Sequence, residues 1–286
     1  MFGPARAAYV CAVNSQKRSN LITRASSGAV FVAVVVGALF AGPLATGVLF
    51  GIATFISLRE YFSLTGFPSR KSDALAIGTG LVAYIITFLF ALDLLPVSAF
   101  WVVGLLMLLQ LSLDVLAVKP SPMQHAPVSI SGVWYVALPF ALIAMLTMLP
   151  GEWSPWIMLG FLLILWANDT GAYLVGMAIG KHKLFPSVSP NKTWEGLIGG
   201  VVLACGTAFL LSVFHDVPDT AGWITMALCV GVFANIGDLY ESYLKRAAGV
   251  KDSGRIMPGH GGVLDRFDGL LFSLPAFLAC YYLFLS

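Results

Sequence analysis

The sequence predicts an all-α, polytopic membrane protein of about nine transmembrane helices with its N-terminus in the cytoplasm. Three observations predict it. Of 286 residues, 58% are hydrophobic and only 10% charged, and the mean hydropathy is +0.88, which is more apolar surface than one water-soluble core hides. Apolar runs near or above the roughly 20 residues that cross a bilayer follow one another along the chain. When these runs alternate in direction from a cytoplasmic N-terminus, all 16 Lys and Arg fall in or beside cytoplasmic segments.

Residues 1–26 are basic, contain no acid and read as a cytoplasmic tail that helps set topology, in preference to a short targeting peptide of similar composition. Apolar runs at 27–42, 44–62, 74–95, 97–117 and 132–149 make an N-terminal transmembrane half, 27–150. Those at 153–179, 196–214, 221–243 and 269–285 make a C-terminal half, 151–286, with cytoplasmic loops 180–195 and 245–268. The cations group as Arg6, Lys17, Arg18 and Arg24; Arg59, Arg70 and Lys71; Lys119; Lys181, Lys183 and Lys192; and Lys245, Arg246, Lys251, Arg255 and Arg266. Opposite loops carry only Asp93, Glu152, Asp216 and Asp219, so a miscount by one helix would scatter cations over both faces. Segment 118–131, with three prolines, reads as a connector. A cationic face of this kind suits anionic lipid head groups or nucleotides. Nucleic acid is excluded as a partner, because no soluble basic domain exists to hold it. Cys11, Cys205, Cys229 and Cys280 are isolated and read as packing residues, not as a disulfide framework or a zinc site.

An ionised carboxylate inside a span costs about 2.5–3.5 kcal/mol on insertion scales, so each needs a partner or a task. Asp114 lies five residues from Lys119, and Glu60 stands beside Arg59 at a span end, so both read as locally compensated. Asp169, in "WANDTGAYLVGMAIG", is well inside a span, and a functional role is the better reading. In "FANIGDLYESYLKR", helical spacing puts Asn235, Asp238, Glu241, Ser242 and Lys245 on one polar stripe facing the protein interior.

That stripe runs into "KRAAGVKDSGRIMPGHGGVLDRFD", residues 245–268, which holds eight formal charges, one histidine and five glycines. Asp238 on one side and Asp265 and Asp268 on the other offer hard oxygens from two helices, the arrangement Mg²⁺ favours when phosphate and water complete its shell. Lys245, Arg246, Lys251, Arg255, His260 and Arg266 are donors suited to phosphate. Gly259, Gly261 and Gly262 allow close backbone approach and N–H donation to an anion. Together they predict a metal-dependent polyphosphate site at the membrane surface. No P-loop pattern occurs, and "GMAIGKH" fails on spacing, its Gly176 and Gly180 reading as helix packing.

"SYLKRAAGVKDSGRIMPGHGGVLDRFD" closely resembles the signature of the phosphatidate cytidylyltransferase (CDP-diacylglycerol synthase) family, S-x-x-K-R-x4-K-D followed by H-G-G-x-x-D-R-x-D. Ser242, Lys245, Arg246, Lys251, Asp252, His260, Gly261, Gly262, Asp265, Arg266 and Asp268 fall on it, and "NDTGAYLVGMAIGKHKLFPSVSPNKTWEGLIGG" is also similar. The resemblance covers 160–286 well; residues 1–150 share only helical spans. It implies transfer of a cytidylyl group from CTP to phosphatidate with release of pyrophosphate, a requirement for Mg²⁺, and a homodimer among membrane lipids. A second, monovalent cation is left open. Carried over residue by residue, Asp238 and Asp265 would hold metal. Lys245, Arg246, Lys251, His260 and Arg266 would handle phosphates in the catalytic set, with Asp169, Lys192, Ser242, Gly261, Gly262 and Asp268 contacting substrate. A bacterial cytoplasmic (inner) membrane, with the site facing the cytoplasm, is the expected location. A CTP-dependent polyprenol kinase and an ion-coupled transporter using Asp114, Asp169 and Asp238 are the competing readings.

Overall fold

The computed structural model describes residues 26–66, 70–116, 122–254, 256 and 261–285. The tail 1–25, Lys119, Arg255, Gly259 and His260 lie outside the described residues, as do the side chains of Arg70, Lys71 and Asp114.

Helix α1 (Ser26–Phe40) is short and apolar. It is followed by α2 (Pro43–Leu64), α3 (Arg70–Ala91), and a 3-10 turn (Val97–Ala99) that leads into α4 (Phe100–Leu116). Helix α5 (Pro122–Gly132) continues through a π-helical segment, Val133–Ala137, into α6 (Leu138–Thr147). The second half holds α7 (Pro155–Ile179), α8 (Trp194–Phe214), α9 (Thr220–Cys229), a second π segment (Val230–Ala234), α10 (Asn235–Ala247) and α11 (Leu264–Phe284). Among the described residues, seven helical stretches are long and apolar enough to cross a membrane, and Ser26–Phe40 and Val97–Ser112 are shorter apolar helices. The seven overlap seven of the apolar runs of the sequence, and the two shorter helices overlap the runs at 27–42 and 97–117 without reaching the length of a span.

Local chemistry starts the helices where they start. Proline occupies the first turn of α2 and α7, where its missing N–H costs nothing. Thr193 Oγ1 accepts from Gly196 N at 3.2 Å to cap α8, and Asp219 Oδ1 accepts from Gly222 N at 2.8 Å to cap α9. Inside the predicted loop 180–195 the chain forms a two-stranded antiparallel hairpin, β1 (Lys183–Phe185) and β2 (Ser189–Thr193), with Lys183 opposite Thr193 and Phe185 opposite Ser189. Its base is fastened by Trp194 N donating to His182 O at 2.9 Å and by His182 Nδ1 against Glu195 Oε1 at 2.6 Å.

Helix α11 is the central post, packing against α2, α6, α9, α10 and both π segments. Its apolar face, Leu264, Phe267, Leu270, Leu271, Leu274, Phe277 and Leu278, recurs at three- and four-residue steps. Phe267 receives the rings of Phe31, Phe50 and Phe140 edge-on, at centroid distances of 5.4, 5.7 and 5.0 Å. Where α10 crosses α11, a Cβ on Gly237 would collide with the carbonyl of Asp268, so glycine lets the two backbones touch beside Asp238. The π segment at 230–234, with its wider turn, re-phases the helix just ahead of Asn235. The described cysteines, Cys205, Cys229 and Cys280, are free and sit on packed helices.

Helices α7 and α8 pair through small residues, as lipid-embedded helices do when packing replaces the hydrophobic effect. A methyl at Gly171 would stand 2.7 Å from the Gly199 carbonyl oxygen and 3.1 Å from Gly200 Cα. Gly176 faces Gly196 and Thr193 in the same seam. Gly171→Ala is therefore expected to cost about 1–3 kcal/mol by overpacking, read as a lowered thermal midpoint in detergent. An unchanged midpoint would show that the two helices do not meet there.

Candidate functional site

The polar stripe of α10 faces the first turns of α11. Helix α7 and the β-hairpin close the opposite side, around a cavity of about 620 Å³. From α10 come Asn235, Asp238, Glu241, Ser242, Lys245 and Arg246; from α11, Asp265, Arg266 and Asp268; from the intervening loop, Lys251 and Asp252. Asp169 projects from α7, and Asn191, Lys192 and Thr193 from the hairpin. The remaining wall, Leu165, Trp166, Ala172, Tyr173, Leu184 and Leu197, is apolar or aromatic. Tyr173, Leu174 and Met177 on the same helix are exposed at the bundle surface.

Lys245 is the structural pivot of the polar side. Its Nζ lies 2.6 Å from Glu241 Oε2 and 2.6 Å from Asp265 Oδ1, one carboxylate on its own helix and one on α11. The side chains of Glu241, Asp265 and Lys245 are 0%, 5% and 12% exposed, and removing one member of so buried a set strands the others. Asp265 Oδ2 also accepts from Ser253 N at 2.9 Å and Gly262 N at 2.8 Å, with the Ser253 hydroxyl 2.9 Å away. Helix α11 thereby draws the loop back over its own first turn.

A second set of groups is open to the cavity. Asp238 is 41% exposed and bridges to Lys192 Nζ at 2.6 Å, which joins the hairpin to α10. Lys192 also donates to the Asn235 carbonyl at 3.3 Å, and Ser242 Oγ to Asp238 Oδ1 at 3.3 Å. Asp268 Oδ1 accepts the Gly269 N–H at 2.7 Å, and Asp169 Oδ1 accepts from Asn168 Nδ2 at 3.3 Å. Asp268 is close enough to couple electrostatically with both Asp238 and Asp169. Arg246, whose Nη1 donates to the Val250 carbonyl at 3.1 Å, is exposed toward the cavity, as are Lys251 and Arg266.

Ten of the residues given a catalytic, substrate or metal role from sequence thus line one cavity: Asp169, Lys192, Asp238, Ser242, Lys245, Arg246, Lys251, Asp265, Arg266 and Asp268. Others stand elsewhere or have partners within the protein. Gly261 and Gly262 do not line it; the Gly262 N–H points at Asp265, so an amide expected to meet substrate holds a protein carboxylate instead. Asp265 was expected to share a metal with Asp238. In this structure its Oδ2 accepts from the loop and its Oδ1 lies against Lys245, so it also anchors the loop and α10 to α11. Among the described residues, no three His, Cys, Asp or Glu side chains converge closely enough to hold a metal by themselves. His260 lies outside the described residues.

Sequence reasoning missed three participants. Glu60 is not compensated by Arg59, whose guanidinium lies over the Phe55 ring at 5.9 Å. Instead Glu60 is 7% exposed and bonded to the start of α11. Glu241 stood in the predicted stripe without a role, yet it is fully buried in the Lys245 pair, with Oε1 lacking a partner among the described residues. Ser253 gave no signal beyond its place between Asp252 and Gly254.

A family model described as the Cytidylyltransferase family matches residues 22–284. Among curated relatives, the phosphatidate cytidylyltransferase of Staphylococcus aureus is 53% identical over 116 residues, and that of Staphylococcus saprophyticus 49% identical over 115. The enzyme of that name from Staphylococcus epidermidis is also 49% identical over 115 residues. In each case the aligned stretch takes in 40% of this chain and 44% of the relative, less than half its length. With a family match that runs through both halves of the helical bundle and takes in every residue of the cavity, the chain belongs to the cytidylyltransferase family.

Proposed function

We propose that the protein transfers the cytidylyl group of CTP to phosphatidate, yielding CDP-diacylglycerol and pyrophosphate. The supporting observation is one cavity with two unlike sides: ionic groups from α10, α11, the loop and the hairpin face an apolar wall from α7 and α8. A nucleoside triphosphate matches the first and a lipid acyl region the second. The reading places the cavity on the cytoplasmic side of a bacterial inner membrane. The clustering of cations on that side and the bacterial relatives support it.

The donor set also fits a divalent cation. Six acids and five Lys or Arg side chains line the cavity, so its own charge does not hold a tetra-anionic triphosphate. Asp238 and Asp268, with the buried Oε1 of Glu241 nearby and unpartnered among the described residues, offer the hard oxygens that Mg²⁺ takes together with water and phosphate. When bound, Mg²⁺ supplies neutralisation of the departing pyrophosphate. The chain's own residues do the rest. Arg246, Lys251 and Arg266 bind phosphate oxygens, and Lys192 sits where it can exchange Asp238 for a phosphate. Phosphatidate, ionised near pH 7, attacks the α-phosphorus in line; the new P–O bond forms as the bond to the bridging oxygen breaks. No protein nucleophile or general base is needed, so His260 is assigned to donating to phosphate. Lys245 stays with Glu241 and Asp265, orienting α10 against α11.

With purified protein, phosphatidate in mixed micelles and Mg²⁺, label from α-³²P CTP is expected in the lipid fraction, and label from γ-³²P CTP in pyrophosphate. Lipid label from γ-³²P CTP alone would replace this reading with the kinase.

Two substitutions separate the open groups from the buried pivot. Asp238→Asn should lower turnover by about 100-fold or more while leaving the thermal midpoint near wild type, because that carboxylate is 41% exposed. Lys245→Met should cost about 3–5 kcal/mol of stability, because it leaves Glu241 buried without its cation. The reverse pattern, checked by thermal unfolding alongside the label assay, would exchange the two roles.

A further inference from the structure

Glu60 belongs to a helix that contributes no residue to the cavity lining, yet its carboxylate reaches the segment that shapes it. Oε1 accepts from Val263 N at 3.1 Å, and Oε2 accepts from Leu264 N at 2.8 Å. The Ser253 hydroxyl stands 3.2 Å from Glu60 Oε2 and 2.9 Å from Asp265 Oδ2, so its single proton is shared between a carboxylate of α2 and one of α11. Val263, the N-cap residue of α11, supplies no side-chain cap of its own. The first amides of α11 are therefore capped from 203 and 204 residues upstream.

The pocket around this carboxylate is built for it. A Cβ at Gly254 or Gly262 would strike Glu60 Oε1, so these two glycines leave room for the carboxylate. The next residue, Tyr61, holds the same end of α2 to α5 through its hydroxyl, 2.6 Å from Ser131 Oγ. Its ring packs on Tyr135, which packs on Tyr240 of α10. A buried carboxylate is costly unless hydrogen-bonded; this one is satisfied by donors that all belong to the start of α11 and its loop, and by the positive end of the helix dipole.

We propose that Glu60 is a positioning residue for the cavity: by capping α11 and clasping Ser253, it sets where the first turn of α11 holds Asp265, Arg266 and Asp268. The proposal rests on reading that cavity as the transfer site. It assigns a task in the reaction to the N-terminal half of the chain.

The test uses the full chain in detergent, with Glu60→Gln and Glu60→Asp compared with wild type for kcat, KM for CTP, thermal midpoint and amide hydrogen exchange over 253–268. Glutamine keeps the size of Glu60, but in either orientation turns an NH₂ toward a backbone N–H. The expected result for Glu60→Gln is a loss of about 10- to 100-fold in kcat and exchange sped at Val263, Leu264 and Asp265, with the midpoint held. Glu60→Asp, which keeps two acceptor oxygens, should recover part of both. Wild-type kcat and exchange in Glu60→Gln would overturn the proposal. So would a loss that follows a lowered midpoint with exchange sped throughout the chain, the mark of a residue that only stabilises the fold. If wild-type protein transfers no cytidylyl group, the functional reading fails by itself. Exchange at Asp265 to Asp268 in Glu60→Gln then decides the positioning claim, sped exchange upholding it and unchanged exchange overturning it.

Discussion

The ammonium of Lys245, held at 2.6 Å between Glu241 and Asp265, is the interaction from which the rest of this structure follows. It is a charge pair taken out of water near the end of a lipid-embedded bundle, where an unpartnered carboxylate is costly. One carboxylate is on the helix of the lysine and the other on α11, so satisfying the charges fixes one helix against the other. Gly237 lets the backbones touch at the same crossing. Asp238 and Asp268, neighbours of the buried set, are thereby turned toward a shared space.

The ionic groups in and behind the cavity wall divide into two populations. Glu60, Glu241, Lys245 and Asp265 are buried and bonded to the protein, and hold helices and loop in place. Asp238, Asp268 and Asp169, with Lys192, Arg246, Lys251 and Arg266, line the space with valences to offer. Six acids against five cations make a cavity of nearly balanced charge, which on the proposed reading favours a polyphosphate accompanied by its metal over a bare anion. On the same reading the apolar wall from α7 and α8 would serve the lipid, which need not leave the bilayer to present its phosphate.

Much of this was legible in the sequence, for identifiable reasons. Apolar runs are long and the cations one-sided, so the helices and the functional end of the bundle follow from composition and spacing. The α10 stripe follows from helical period. What local pattern does not encode is which polar residue meets which. Glu60 looked compensated by its neighbour Arg59, whereas its partners lie about 200 positions away in the chain. Asp265 and Asp268, three residues apart in one motif, take opposite tasks because one faces Lys245 and the loop while the other faces the cavity. Gly261 and Gly262 looked like an anion nest, but Gly262 donates to Asp265. The hairpin at 183–193 has strands too short for a two-residue period to register, and it is held by tertiary contacts at its base.

The central claim, that Asp238 and Asp268 meet a divalent ion and a triphosphate in one cavity, is tested most directly by a structure of the protein with CTP and Mn²⁺, located by its anomalous scattering. The account predicts the ion bonded to carboxylate oxygens of Asp238 or Asp268 and to CTP phosphate, with Lys245 still seated between Glu241 and Asp265. An ion held outside this cavity, or at Asp265 with Lys245 displaced, would contradict it.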